Sequence, residues 1–442
     1  MWDLIAISAC LIGLAATLSR FREIDDGPVR LLLLGLWLRY AMQAFPYVVT
    51  SIRIGPFSLI AVISIATALL FLIFLNHRLL RLRALLPVYA VLAVSLLSGV
   101  VNSEPMGIAN DFIKWGYFIG VMLLSYRAMT LYGSDRALRA LLVTLLTPSL
   151  LFVASVAVGN AKATELDGSV SYIGGYFHES MFSSIMYSVF ALGCLVRWRS
   201  VVSLAFILGF GVVAILMVNY RSAVVALAPA LLALAAIAFL RGVGPRFAVG
   251  ATVALAVPVL GGLPFLLDAL PDRYAEITHF TNNVIVLSKD PIELTSSERA
   301  LFSYRVAIWV EYLYSARQGD LVNNILGYGP NAHENLFRLI PHNTFISAFW
   351  EFGIIGVVTS IFMAMYYIFL PLWIDDIYDR LFLSALMLGV VVNGLASMPL
   401  WTIEGLIIYA QLAAYAAWRV SGNAKRGQAP QRVGVTGPAQ PA

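Results

Sequence analysis

Apolar runs close to the thickness of a lipid bilayer recur along the whole chain, at about 2–19, 30–46, 57–75, 85–101, 112–131, 139–158, 180–196, 201–218, 222–240, 247–267, 343–370, 381–397 and 402–418. A run of about 20 such residues crosses the hydrocarbon layer as a helix, and lipid offers no partner for backbone N–H and C=O groups outside a helix or closed barrel. Composition agrees, since 60% of the residues are hydrophobic and only 12% charged, against about one-quarter charged in soluble domains. The expected fold is all-α: a polytopic transmembrane helical bundle of about 12–13 helices, with one long external loop containing short helices. Arg39 interrupts the second run. The N-terminus has no basic stretch ahead of its apolar run and no clear cleavage site, so it reads as a retained helix.

Basic residues sort the loops. HRLLRLR (77–83), SDRALR (134–139), RWR (197–199), RGVGPR (241–246) and the tail with Lys425, Arg426 and Arg432 carry the positive excess and are expected in the cytoplasm. The loops at 102–111, 159–180 and 219–222 and the long polar segment 268–342 then face the outside. The chain divides into N-terminal transmembrane helices (1–267), the long loop (268–342), C-terminal transmembrane helices (343–420) and a disordered cytoplasmic tail (421–442). Within the long loop, SSERALFSYRVAIWVEYLYSA (296–316) has amphipathic spacing and predicts one helix, followed by the turn GYGPN (327–331) and a short helical stretch around HENLFRLI (333–340). The net charge of +5 sits in topology-setting loops and forms no basic stripe with interleaved aromatics, which argues against a nucleic-acid partner. Cys10 and Cys194 fall inside apolar runs and read as small buried hydrophobes.

A few polar residues stand where an apolar chain would not place them by default. Arg221, in VNYRSAVVAL, lies between two apolar runs at the outer surface. A cation at a helix start opposes the helix dipole, and a bound anion would reverse that penalty, with backbone N–H groups and a guanidinium fork sharing a diphosphate. The same arginine alone is also compatible with snorkelling to headgroup phosphates. Arg305, in SYRVAIW, is equally open to a headgroup-facing reading, and so are Arg299, Arg317 and Arg338. His342 follows Pro341 at the mouth of the run that begins near 343; Asn343 or Thr344 caps that helix and pins the imidazole at its first turn. Desolvation and the helix dipole both favour neutral imidazole there, the form a general base needs, although a plain capping role fits too. His333 and His178 are also external, without ligand spacing of the zinc type, so no metal is expected. Glu351 and Glu404 are carboxylates in or beside apolar runs and should face the bundle interior or water. Glu351 lies nine residues past His342, about 900° around an ideal helix, so the two should not meet. The acidic cluster DDIYD (375–379) reads as a solvated cytoplasmic loop.

Taken together, Arg221 in YRSA, Arg305 in YRVAIW followed by LGYGPN, and PHNTFISAFWEFGIIG resemble the O-antigen ligase and polymerase family of bacterial envelope glycosyltransferases, over about 201–370. The resemblance implies a metal-independent, inverting, cofactor-free transfer on the periplasmic side of the inner membrane, from an undecaprenyl-diphosphate-linked glycan donor to an acceptor hydroxyl. The acceptor is lipid A core for a ligase, a growing O-antigen or exopolysaccharide for a polymerase, or a protein hydroxyl. By the same resemblance Arg221 and Arg305 hold the diphosphate and His342 activates the acceptor, with Asn343, His333 and Glu351 as supporting residues. A transporter or flippase of such lipids is the alternative; it would use the arginines but needs no base.

Overall fold

The computed structural model describes residues 1–55, 57–163, 170–198, 200–240, 280, 283–337 and 339–426. The expected apolar segment at 247–267, the basic loop at 241–246, the first part of the long loop, Arg338 and the tail beyond 426 lie outside the described residues. The protein is all-α and, by helix length and hydropathy, a multi-pass membrane protein. Every apolar run that falls among the described residues coincides with a helix: α1 Trp2–Ser19, α2 Gly27–Gln43, α4 Leu59–Ile73, α5 Leu86–Val101, α6 Pro105–Tyr132, α7 Ser134–Thr144 with α8 Leu146–Ala157, α9 Glu179–Leu195, α10 Val201–Val218, α11 Arg221–Leu240, α16 Thr344–Phe369, α17 Ile377–Asn393 and α18 Ile403–Arg426. Short helices α3 Pro46–Ser51, α12 Ser296–Ala300, α13 Arg305–Arg317, α14 Leu321–Leu326 and α15 His333–Leu336 fill the loops.

The expected number of helices is about 12–13, one of which falls outside the described residues. Among the described residues, five helical stretches are long and apolar enough to cross alone, and a sixth forms if α7 and α8, bent by 45°, make one span. Helices α2, α4, α9 and α17 have 17, 15, 17 and 17 residues, and α6 and α18 carry charged and polar residues along their length. One of these, Glu404 of α18, pairs with the buried Arg39 of α2. The Arg39 guanidinium reaches a Glu404 carboxylate oxygen at 2.7 Å, and the same oxygen accepts from Gln43 at 2.9 Å. Arg39 is 7% and Glu404 1% exposed, so losing one partner would strand a charge in an apolar interior, at about 3–5 kcal/mol.

Contacts between loops define two ends of the bundle. At one, Tyr366 and Tyr367 donate to the carbonyls of Arg83 and Ala84, Arg127 pairs with Asp26, and Asp379 of the acidic cluster pairs with Arg419. Asp376 of that cluster caps α17. At the other, Ser98 donates to the Glu351 carbonyl, Asn102 to the Gly327 carbonyl, and the Thr344 N–H to the Gly394 carbonyl. The segment 296–316 departs from the single helix expected. Phe302, Ser303 and Tyr304 all take left-handed backbone, with φ of 49°, 54° and 66°, which separates α12 from α13. The helical stretch around 333–340 is also shorter, ending at Leu336.

Helix α16 is broken too. Gly353, at φ 63° and ψ −157°, interrupts it one turn below Trp350, and the end of α14 packs into the gap. A Cβ on Gly353 would lie 2.4 Å from the Ile325 carbonyl carbon and oxygen, and one on Gly327 would lie 2.3 Å from the Glu351 carbonyl carbon. Both glycines are therefore required by backbone against backbone. Gly353→Ala should lower the thermal unfolding midpoint in detergent, with about 1–3 kcal/mol lost to the φ angle alone and more to the clash. Gly209→Ala, at a helical glycine with open space around it, should lower nothing; equal midpoints for the two variants would refute the role given to the break.

Candidate functional site

Four helices begin at the same place. Helix α11 starts with Arg221, after Asn219 reverses the chain in a left-handed conformation at φ 55°. Helix α13 starts with Arg305, aimed by the left-handed run before it, and no side chain caps it. Helix α16 is capped by Asn343, whose carboxamide oxygen accepts from the N–H groups of Phe345 at 2.9 Å and Ile346 at 3.1 Å. His178 caps α9, its Nδ1 accepting from the Ser180 N–H at 3.1 Å. Unpaired N–H groups and the positive dipole end make each helix start electropositive.

Side-chain contacts close the site. Arg221 donates to the Ser303 hydroxyl at 3.2 Å, two residues from Arg305. The Arg305 guanidinium carbon lies 5.8 Å from the centroid of the Tyr220 ring, a cation–π placement, and no carboxylate pairs with it among the described residues. Tyr220 also meets His178 edge-on at 6.5 Å, and His178 and His342 lie nearly parallel, 25° apart, with centroids separated by 6.3 Å. Two guanidinium groups, two imidazoles and a phenol ring therefore surround one spot. All but the buried Tyr220 are half-buried, so they remain within reach of a ligand. Glu179, next to His178, is buried and ion-paired with Lys162 at 3.1 Å.

The supports of this cluster are hydrogen bonds to backbone. Trp309 and Tyr312, on consecutive turns of α13, donate to the carbonyls of Pro341 at 2.8 Å and Leu339 at 2.9 Å. One helix thus places Arg305 at its start and fixes the strand leading into His342 with its next turns. Asn343 donates to the Leu395 carbonyl at 2.8 Å, tying α16 to the end of α17, and Ser222 donates to Asn393 at 2.8 Å, tying α11 to the same end.

His342 differs from its expected position. It lies ahead of the cap, in left-handed backbone at φ 48°, and not in the first turn of the helix. Its imidazole is nonetheless held neutral, its pKa lowered to about 4, chiefly by burial and then by the charges of Arg305 and His178.

The residues expected to support the site divide. Asn343 is part of it, as the cap. Glu351 and His333 make their contacts elsewhere. Glu351 is 0% exposed and accepts from Ser347 at 2.9 Å, Trp401 at 3.2 Å and the Asn331 N–H at 3.2 Å. His333 Nδ1 stands 3.4 Å from it, longer than a well-formed hydrogen bond. This carboxylate anchors the GYGPN turn to α16, and His342 is not among the partners described for it. Among the described residues no group of three or more His, Cys, Asp or Glu side chains is disposed to hold a metal ion.

Three members of the cluster, His178, Tyr220 and Ser303, were not legible as site residues. A signal existed for the first: FHES repeats the arrangement of PHNT, a histidine followed by a polar residue at the mouth of an apolar run. No family model matches the chain, and no curated protein matches it significantly.

Because burial and Arg305 set the ionisation of His342, its imidazole should titrate near pH 4, below the ordinary value of about 6.5. In Arg305→Ala the midpoint should rise, since a repelling charge is gone, but stay below 6.5 while the burial remains. Histidine-selective NMR of the labelled protein checks both, and a midpoint near 6.5 in the unaltered protein would contradict the assignment.

Proposed function

We propose that this protein is a membrane glycosyltransferase of the O-antigen ligase and polymerase type, transferring a glycan from an undecaprenyl-diphosphate carrier to an acceptor hydroxyl. The observation that carries the reading is Arg305: a half-buried guanidinium with no carboxylate partner among the described residues, beside Arg221, two imidazoles and uncapped helix N–H groups. Arg305 itself is short of negative charge, and a diphosphate supplies it. The basic loops at the opposite end of the bundle favour an orientation in the bacterial inner membrane with this cluster on the periplasmic side.

In this mechanism the acceptor oxygen attacks the anomeric carbon from the face opposite the carrier. His342, neutral above about pH 4, takes the hydroxyl proton as the C–O bond forms. The bond from the anomeric carbon to the phosphate oxygen breaks, its electron pair leaves with the diphosphate, and Arg221 and Arg305 stabilise the growing charge. One displacement inverts the anomeric configuration. Negative charge from bound diphosphate also offsets the repulsion from Arg305, moving the imidazole toward the range where a base is most effective near neutral pH.

The second reading, a transporter or flippase of the same lipids, accounts for the arginines but leaves a desolvated neutral histidine without a task. Purified protein, a defined lipid-linked glycan and a choice of acceptors separate the two readings and identify the acceptor. His342→Ala should lose about 10²–10⁴-fold in turnover while still binding the donor. Arg221→Ala and Arg305→Ala should lose donor affinity as well. Transfer that persists at the unaltered rate in all three variants would rule out this catalytic assignment.

A further inference from the structure

A cleft between α5, α6 and α16 shares no lining residue with the cluster of arginines and histidines. It encloses about 430 Å³ of empty space, far more than the roughly 30 Å³ of one water. Val91 and Val94 of α5 and Met363 of α16 make its walls apolar, yet two of its lining residues are charged. Asp111 is 4% exposed, and its carboxylate accepts a single hydrogen bond, from Ser95 at 2.8 Å, although a carboxylate has room for several. Lys114 follows one turn later on the same face of α6. It is half-buried, and among the described residues its ammonium makes no hydrogen bond or ion pair, with Asp111 or any other group. Ser95 lies six residues short of the end of α5 at Val101, so the carboxylate it meets sits about 9 Å inside that end of the helix. Snorkelling to the bilayer surface would account for Lys114 alone. Asp111 is too short and too buried to reach water that way, and charges at such depth are costly unless matched.

We infer that the cleft binds one phospholipid whose headgroup carries both a phosphate and a primary ammonium, taken from the leaflet at the same end of the bundle as the arginine cluster. Lys114 pairs with the phosphate, Asp111 accepts from the ammonium, and an acyl chain runs along Val94, Val91 and Met363. Each charge excludes one class of competitor. A headgroup with a phosphate and no cation would set its negative charge near that of Asp111 without compensation, and a quaternary ammonium has no N–H to donate to it. Gly356, which also lines the cleft, lies just past the break at Gly353, so the bound lipid would join α5 and α6 to the inner part of α16 and stabilise the folded protein by mass action. The inference uses none of the residues assigned to the glycan donor and stands apart from that reading.

Titration of the delipidated protein in detergent with phosphatidylethanolamine, phosphatidylcholine and phosphatidylglycerol of identical acyl chains tests this, with bound lipid read by native mass spectrometry and the melting midpoint followed in parallel. The expected result is that phosphatidylethanolamine binds about tenfold or more tightly than either of the others, the range for hydrogen bonds to charged groups, and raises the midpoint most. Asp111→Asn keeps an acceptor for Ser95 and should lose the preference, bringing phosphatidylethanolamine within about threefold of phosphatidylcholine. Lys114→Met keeps the apolar stem and should weaken all three lipids. Val94→Phe leaves both charges in place, narrows the cleft and should weaken phosphatidylethanolamine as well. Equal affinity of the unaltered protein for the three lipids, a measurement that needs no variant, would overturn the inference. An undiminished preference in folded Asp111→Asn, or undiminished binding in folded Lys114→Met, would do the same.

Discussion

Helix starts repel one another. Each carries a fraction of a positive charge on N–H groups that the helix itself cannot satisfy, and this fold brings the starts of α9, α11, α13 and α16 together with two guanidinium groups. Two of the four are quieted by side chains, His178 and Asn343. The other two begin on arginine, and the one that starts at Arg305 has no side-chain cap. Neighbouring elements hold this arrangement in place: Trp309 and Tyr312 on the approach to His342, Asn343 on the loop after α17, and Ser222 on Asn393. The bundle supplies stiffness, and under the proposed reading a bound diphosphate offsets the electrostatic cost at Arg305.

Much of this was visible in the residues before any coordinates. Helical spans follow from hydropathy because lipid permits little else; Arg221 and His342 stand out as polar residues at the edges of apolar runs, and Arg305 as a cation on the amphipathic segment of the long loop. The break at 302–304 was not legible. SSERALFSYRVAIW contains no glycine or proline and keeps helical spacing, and the reversal is held by tertiary packing of Phe302 against Phe280 and Trp309, at 5.3 and 6.3 Å between ring centroids. The Arg39–Glu404 pair joins residues 365 positions apart, and spacing cannot reveal a partner at that range. His178 was hidden for a different reason: one histidine in a loop has many uses, and its capping role depends on a backbone N–H whose position only the fold fixes.

The described part of the long loop carries small cores of its own. Val286, Leu294, Leu301, Val306, Trp309 and Val310 form one core. A second, around Tyr312 and Trp350 with Tyr328 and Phe337 stacked on them, welds the loop to α16. Glu351 adds a polar rivet, gathering Ser347, Trp401 and the backbone of Asn331 about one buried carboxylate. Under the proposed reading this explains why a carboxylate so close to the site in sequence has no part in the chemistry: its task is to keep the loop seated over the helix that presents His342.

The left-handed run Phe302–Ser303–Tyr304 carries a further implication. L-residues in that conformation each cost about 1–2 kcal/mol, and none of the three is glycine. The run persists only while the aromatic cluster beneath it pulls harder than the backbone relaxes. Loosening that cluster would let the three residues return to ordinary angles and swing Arg305 off its neighbours. Under the proposed reading, the placement of Arg305 and the stability of the bundle therefore depend on different parts of the chain: a handful of aromatic side chains in the long loop for the first, and the long helices for the second.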